Sequence, residues 1–129
     1  MAEHKLRLCH ALSKEARRAL VELARLGGGY SMRSLAKELG VTPPAVKKYV
    51  DGTTHPKDEV VCRLIDIVLS SAALRDEAKN IIVRDIVGVI ESFLTYLMDR
   101  GLLSRTDLEE LQRVVSKYRL GLLGTPRAT

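Results

Sequence analysis

Residues 31–56 read SMRSLAKELGVTPPAVKKYVDGTTHP, and the punctuation inside this stretch decides the fold. Ser31 offers a hydroxyl to cap a short helix whose inward residues are Leu35, Ala36 and Leu39. Gly40 supplies the left-handed residue that ends it. Val41 turns back toward the core. Thr42 stands before Pro43 and Pro44, and a residue before proline is driven out of the helical region, which suits a non-helical cap. Proline is tolerated in a first turn, where the N–H has no intrahelical acceptor. A second helix therefore starts at Pro43, or at Pro44 because Pro43 itself precedes a proline. It runs to Val50 with Val46 and Val50 inward and Lys47 and Lys48 outward, and Gly52 closes it.

The pattern on either side is helical as well. Ser13 caps a helix whose stripe is Ala16, Ala19, Leu20, Leu23, Ala24 and Leu26, with Arg17 and Arg18 on its outer face, until Gly27-Gly28-Gly29 stops it. After the loop Thr53-Thr54-His55-Pro56, in which His55 has no special role, Asp58 caps a helix that buries Val61, Leu64, Ile65 and Val68. Ser70-Ser71 marks a break. Beyond it Leu74, Ala78, Ile81, Ile82, Ile86, Val89, Ile90, Phe93, Leu94 and Leu97 keep helical spacing for about seven turns, as far as Gly101. Thr106-Asp-Leu-Glu109 is a capping-box pattern that opens a last helix through Val114, Val115 and Tyr118. The fold class is all-α. Three parts are predicted: a bundle over 1–69, a helical segment over 70–121 and a fraying tail over 122–129.

Composition narrows the possible functions. Net charge is +5, and residues 1–69 hold twelve basic and eight acidic side chains against nine and eight in 70–129. A polyanion would meet the N-terminal half. Cys9 and Cys62 are the only cysteines and His4, His10 and His55 the only histidines, without metal-ligand spacing, so no metal or cofactor is predicted. The two cysteines read as thiols in a reducing cytosol rather than as a disulfide. Ile81–Met98 is interrupted by Arg84, Asp85 and Glu91, and MAEHKLRLCHAL lacks a signal-peptide core, so a cytoplasmic protein is expected. Asn80 and Gln112 are the only amides, a bias that a thermophile would favour. Glu109-Glu110 has no nucleophile beside it. Gly27-Gly28-Gly29 lacks the GK[ST] ending of a phosphate loop, so no enzyme is predicted.

Two short helices joined by a glycine-containing turn let the second protrude into a DNA major groove, about 12 Å wide. The quoted run resembles the phage-repressor-like, or xenobiotic-response-element, helix-turn-helix family. Leu35-Ala36, Leu39-Gly40-Val41, Val46, Tyr49, Gly52 and Pro56 fall at its spacing, and the likeness covers roughly Ala11–Leu69. It implies a compact helical bundle with Thr42–Val50 as recognition helix. Family members often place Gln where this chain has Met32 and an acid where it has Val50, and their first exposed recognition positions read bases. Here those positions are Pro43 and Pro44, which can offer only apolar contact, for instance to thymine methyl groups. The contact residues implied are Ser31, Arg33, Lys37, Thr42, Pro43, Pro44, Lys47, Lys48, Thr53, Thr54 and Lys57, on double-stranded DNA. Tyr49 reads as a core-edge residue rather than a base stacker.

The long C-terminal stripe points to a homodimer, with Leu74, Ile81, Ile82, Ile86, Val89, Ile90, Phe93 and Leu97 at the interface. The two reading heads would then meet half-sites about 34–36 Å apart. Packing of that stripe inside a monomer is the alternative. A different class of function also fits, in which Met32, Pro43 and Pro44 form an apolar surface for a protein partner such as a toxin or a transcription factor.

Overall fold

In the computed structural model, which describes residues 2–124, every regular element is helical. The helices are α1 (Ala2–Ala11), α2 (Lys14–Glu22), α3 (Met32–Leu39), α4 (Pro43–Asp51), α5 (Asp58–Ser70), α6 (Arg75–Asp99) and α7 (Arg105–Gly124). α2 runs on through one π-helical turn, Leu23–Gly27. By packing, the chain forms one compact unit as far as Val89 and a second from Ile90 onward, with α6 contributing to both. Residues 122–124 continue α7, and the rest of the tail expected over 122–129 lies outside the described residues.

The first unit is closed around Leu20, Val21, Leu35, Leu39, Val46, Val61, Leu64 and Val68, all fully buried. Withdrawing each such side chain from water contributes about 1.5–3 kcal/mol. Ser13 caps α2 by accepting from the Ala16 N–H at 3.1 Å, and its own N–H donates to Asp85 of α6 at 3.0 Å. α6 is thereby tied to the start of α2. The glycine run also has a packing reason. A Cβ on Gly27 would lie 2.8 Å from Leu74, and one on Gly28 would lie 2.5 Å from the Ala24 carbonyl.

Several expectations are corrected. α1 was not foreseen, although Lys5, Leu8, Cys9 and Leu12 have helical spacing; Cys9 and Leu12 are buried and Leu8 packs against the core. α1 brings Cys9 to Cys62 of α5 with a Cα separation of 5.6 Å, and the two form a disulfide rather than remaining thiols. Arg17 is not on an outer face. Its side chain, 11% exposed, donates to the carbonyls of Leu12, Pro56, Cys9 and His10 and pairs with Asp58 at 3.0 Å. Arg18 does lie on the outer face, with its side chain 48% exposed, and from there it donates to the Val50 carbonyl at 3.0 Å. Lys57, not Asp58, occupies the cap position of α5, because the Asp58 carboxylate is drawn to Arg17 and to His10 Nδ1, 2.8 Å away. Ser104 and Asp107, rather than Thr106 and Glu109, form the reciprocal cap of α7. Leu74 and Ile82, expected at a dimer interface, are buried in the first unit's own core, with Ile81 and Ile86 packed against it.

Two outcomes follow from this framework. The disulfide closes a 53-residue separation, which by loop-closure entropy stabilises the fold by about 4 kcal/mol. Reduction, or Cys9→Ala with Cys62→Ala, should lower the denaturation midpoint accordingly; an unchanged midpoint would mean that the bridge contributes nothing to stability. Hydrogen bonds from His10 and Arg17 hold the Asp58 carboxyl below the usual carboxylate range. Its contribution is full above about pH 3.9 and drains away as pH falls through the lowered folded value. Asp58→Asn should therefore melt below the parent at neutral pH, with the gap closing under acid conditions.

Candidate nucleic-acid interface

α3 is fixed by a reciprocal serine cap. Ser31 Oγ accepts from the Ser34 N–H at 3.0 Å, and Ser34 Oγ accepts from the Ser31 N–H at 2.9 Å. The Ser31 hydroxyl, one of the candidate contacts, is thus engaged within the helix end. Gly40 ends α3 with φ +71°, and Arg63 of α5 donates to the Leu39 carbonyl at 3.0 Å. The left-handed backbone angle favours glycine at residue 40, and a Cβ there would also push the Arg63 guanidinium aside from its place on the Leu39 carbonyl.

α4 begins at Pro43, and Thr42 Oγ1 accepts from the Ala45 N–H at 3.3 Å. Neither proline has an N–H, and that of Ala45 is satisfied. The α4 N-terminus therefore lacks the free N–H groups with which a helix start usually holds a phosphate. Anion contact here falls to side chains. At its other end α4 is held by Arg18 on Val50, and Gly52 closes it in the left-handed conformation.

All eleven candidate contacts, Ser31, Arg33, Lys37, Thr42, Pro43, Pro44, Lys47, Lys48, Thr53, Thr54 and Lys57, are exposed. Five of them, Thr42, Pro44, Lys48, Thr54 and Lys57, line a single groove of about 440 Å³ between α4 and the start of α5. Lys47, Pro43 and Thr53 lie outside it, as do Ser31, Arg33 and Lys37. Residues 31–57 hold five cations, Arg33, Lys37, Lys47, Lys48 and Lys57, against Glu38 and Asp51. Among the described residues none of these five side chains takes part in an ion pair or side-chain hydrogen bond, whereas Lys5 pairs with Asp66, Arg17 with Asp58 and Arg18 with Glu22.

Tyr49 and His55 also line the groove. Tyr49 is buried, and burial pushes its phenol up from the ordinary value, so the hydroxyl stays neutral at the groove's inner wall. His55 is more than a plain loop residue. It is half-buried, and its Nδ1 is sealed from solvent without a hydrogen-bond partner in the protein. Its place between Thr54 and Pro56, just before α5, is the only sequence signal that marks it. Met32, a candidate for an exposed apolar surface, is half-buried against the core.

Residues 21–67, from the end of α2 into α5, match the family model described as Helix-turn-helix. No curated protein and no solved structure matches the chain.

Proposed function

Because residues 21–67 are a helix-turn-helix domain of the xenobiotic-response-element family, whose members are DNA-binding regulators, we propose that this chain regulates transcription as a homodimer with α4 in the major groove of its operator. The observation that carries the reading is the set of five unpaired cations on the helix-turn-helix, in a molecule that pairs several of its other basic groups internally. Lysines with no internal partner break no ion pair when they meet phosphate, and each such contact releases condensed counterions from the duplex.

Roles divide by position. Lys48 and Lys57, with the hydroxyls of Thr42 and Thr54, converge on the groove and suit one strand's backbone. Lys47, on α4 but outside that groove, is placed to reach a phosphate or a guanine edge. Pro43 and Pro44 bring apolar surface to the floor of the major groove. Half-site spacing and DNA shape then carry much of the specificity. An apolar face for a protein partner is the weaker reading, since Met32 packs inward and only the two prolines remain exposed.

Lys47→Ala with Lys48→Ala should weaken binding to duplexes of any sequence and lower the magnitude of the logarithmic salt slope by about 2. Titration of random and selected duplexes at several salt concentrations measures both. Unchanged affinity would remove α4 from the interface.

A further inference from the structure

α7 is a 20-residue helix, about 30 Å long, with every described side chain exposed except Ser116. In proteins most of a helix's stability comes from packing of its apolar face. Val114 and Leu120 stand apart, but the other described large apolar residues of the helix fall on one line. Leu108, Leu111, Val115, Tyr118 and Leu122 recur at alternating intervals of three and four, the a and d positions of a heptad seam, and they are between 36% and 66% exposed.

Charge along the same helix is polar in the geometric sense. Residues 105–110 hold Asp107, Glu109 and Glu110 against Arg105, whereas residues 111–124 hold Arg113, Lys117 and Arg119 and no acid. Glu109 pairs with Arg105 and Glu110 with Arg113 along the helix surface, but these contacts are exposed and leave the two halves opposite in net sign. This polarity also suits the helix's own dipole. The dipole does not account for the uncovered seam.

We propose that α7 is the self-association surface of the chain: it pairs antiparallel with α7 of a second copy, seam against seam about a two-fold axis near Arg113. Only that direction sets the acidic half of each helix beside the basic half of its partner; parallel pairing would set like against like. A two-fold axis across the helix makes the surface self-complementary, as an isologous interface requires. The seam then supplies burial and the charge pattern supplies direction. This inference rests on the homodimer part of the reading above and not on its DNA part.

Three measurements on the full-length chain test it. Its mass at micromolar protein should be that of a dimer, and higher salt should weaken the dimer by screening. Leu111→Asp with Val115→Asp, both at exposed positions, should give a monomer that retains the melting transition of the first unit. Chains carrying Leu108→Cys and Tyr118→Cys, made distinguishable in mass, should form a disulfide-linked heterodimer when mixed and no link when kept apart. A monomeric parent overturns both this inference and the homodimer reading. A dimer that survives the double Asp variant overturns the α7 assignment alone. Links between two Leu108→Cys chains, or between two Tyr118→Cys chains, overturn the antiparallel direction. Each of these outcomes is independent of the duplex titrations.

Discussion

Short helices end in carbonyls that nothing inside the helix can satisfy, and this molecule is organised around answering them. In the first unit the answer is a guanidinium at four helix ends. Arg17 takes the carbonyls of Cys9 and His10 at the end of α1, Arg63 takes Leu39 at the end of α3, Arg18 takes Val50 at the end of α4, and Arg75 takes Leu69 near the end of α5. With Asn80 and Gln112 its only amides, the chain has few neutral side chains for the task. Arginine suits it because its planar fork carries five donors and holds its charge. Hydrogen bonds from a charged donor contribute about 1.5–3 kcal/mol each where they are shielded from water.

This arrangement sorts the basic residues into two populations. Those that fix the fold are arginines whose heads lie against backbone, as Arg17 and Arg63 show. Those left without partners on the helix-turn-helix are mainly lysines: Lys37, Lys47, Lys48 and Lys57, with Arg33 the exception. A lysine ammonium is a compact, strongly hydrated point charge that needs no fixed geometry, which suits a phosphate backbone better than a carbonyl clamp. Net charge alone conceals the division, because an arginine holding a carbonyl counts the same as a lysine facing solvent.

What was legible in the sequence was local. The Ser31 and Thr42 caps, the Gly40 and Gly52 terminators and the inward set of Leu35, Leu39 and Val46 depend on residues within a turn or two, and each is visible in the string. What was not legible depends on chain segments meeting. Cys9 and Cys62 read as separate thiols until α1 lies against α5. Asp58 reads as a cap until Arg17 competes for its carboxylate, and Arg17 reads as a surface residue until four carbonyls converge on it. Periodicity placed Leu74 and Ile82 on one stripe with Val89 and Phe93, but it cannot say which protein surface covers which part. The first pair is core; the second is exposed.

The segment that matches the family is therefore not the whole of the first compact unit. Residues 21–67 contain α3, α4 and most of α5, yet Arg17 and Arg18 lie before that segment, Leu74 and Asp85 after it, and Cys9 reaches into it from α1. Arg18 holds the end of α4, and the others brace the elements around it, so the placement of α4 depends on residues outside the matched segment. For the proposed DNA reading, precision would matter more than in a reader with polar leading residues. Pro43 and Pro44 can offer bases no hydrogen bond through side chain or N–H, so under the proposed reading discrimination would come from how closely a fixed apolar edge fits a particular groove and how a fixed set of lysines meets its phosphates. On that reading a loosely held α4 would lose discrimination before affinity, because lysines can follow a phosphate through small displacements and a proline edge cannot.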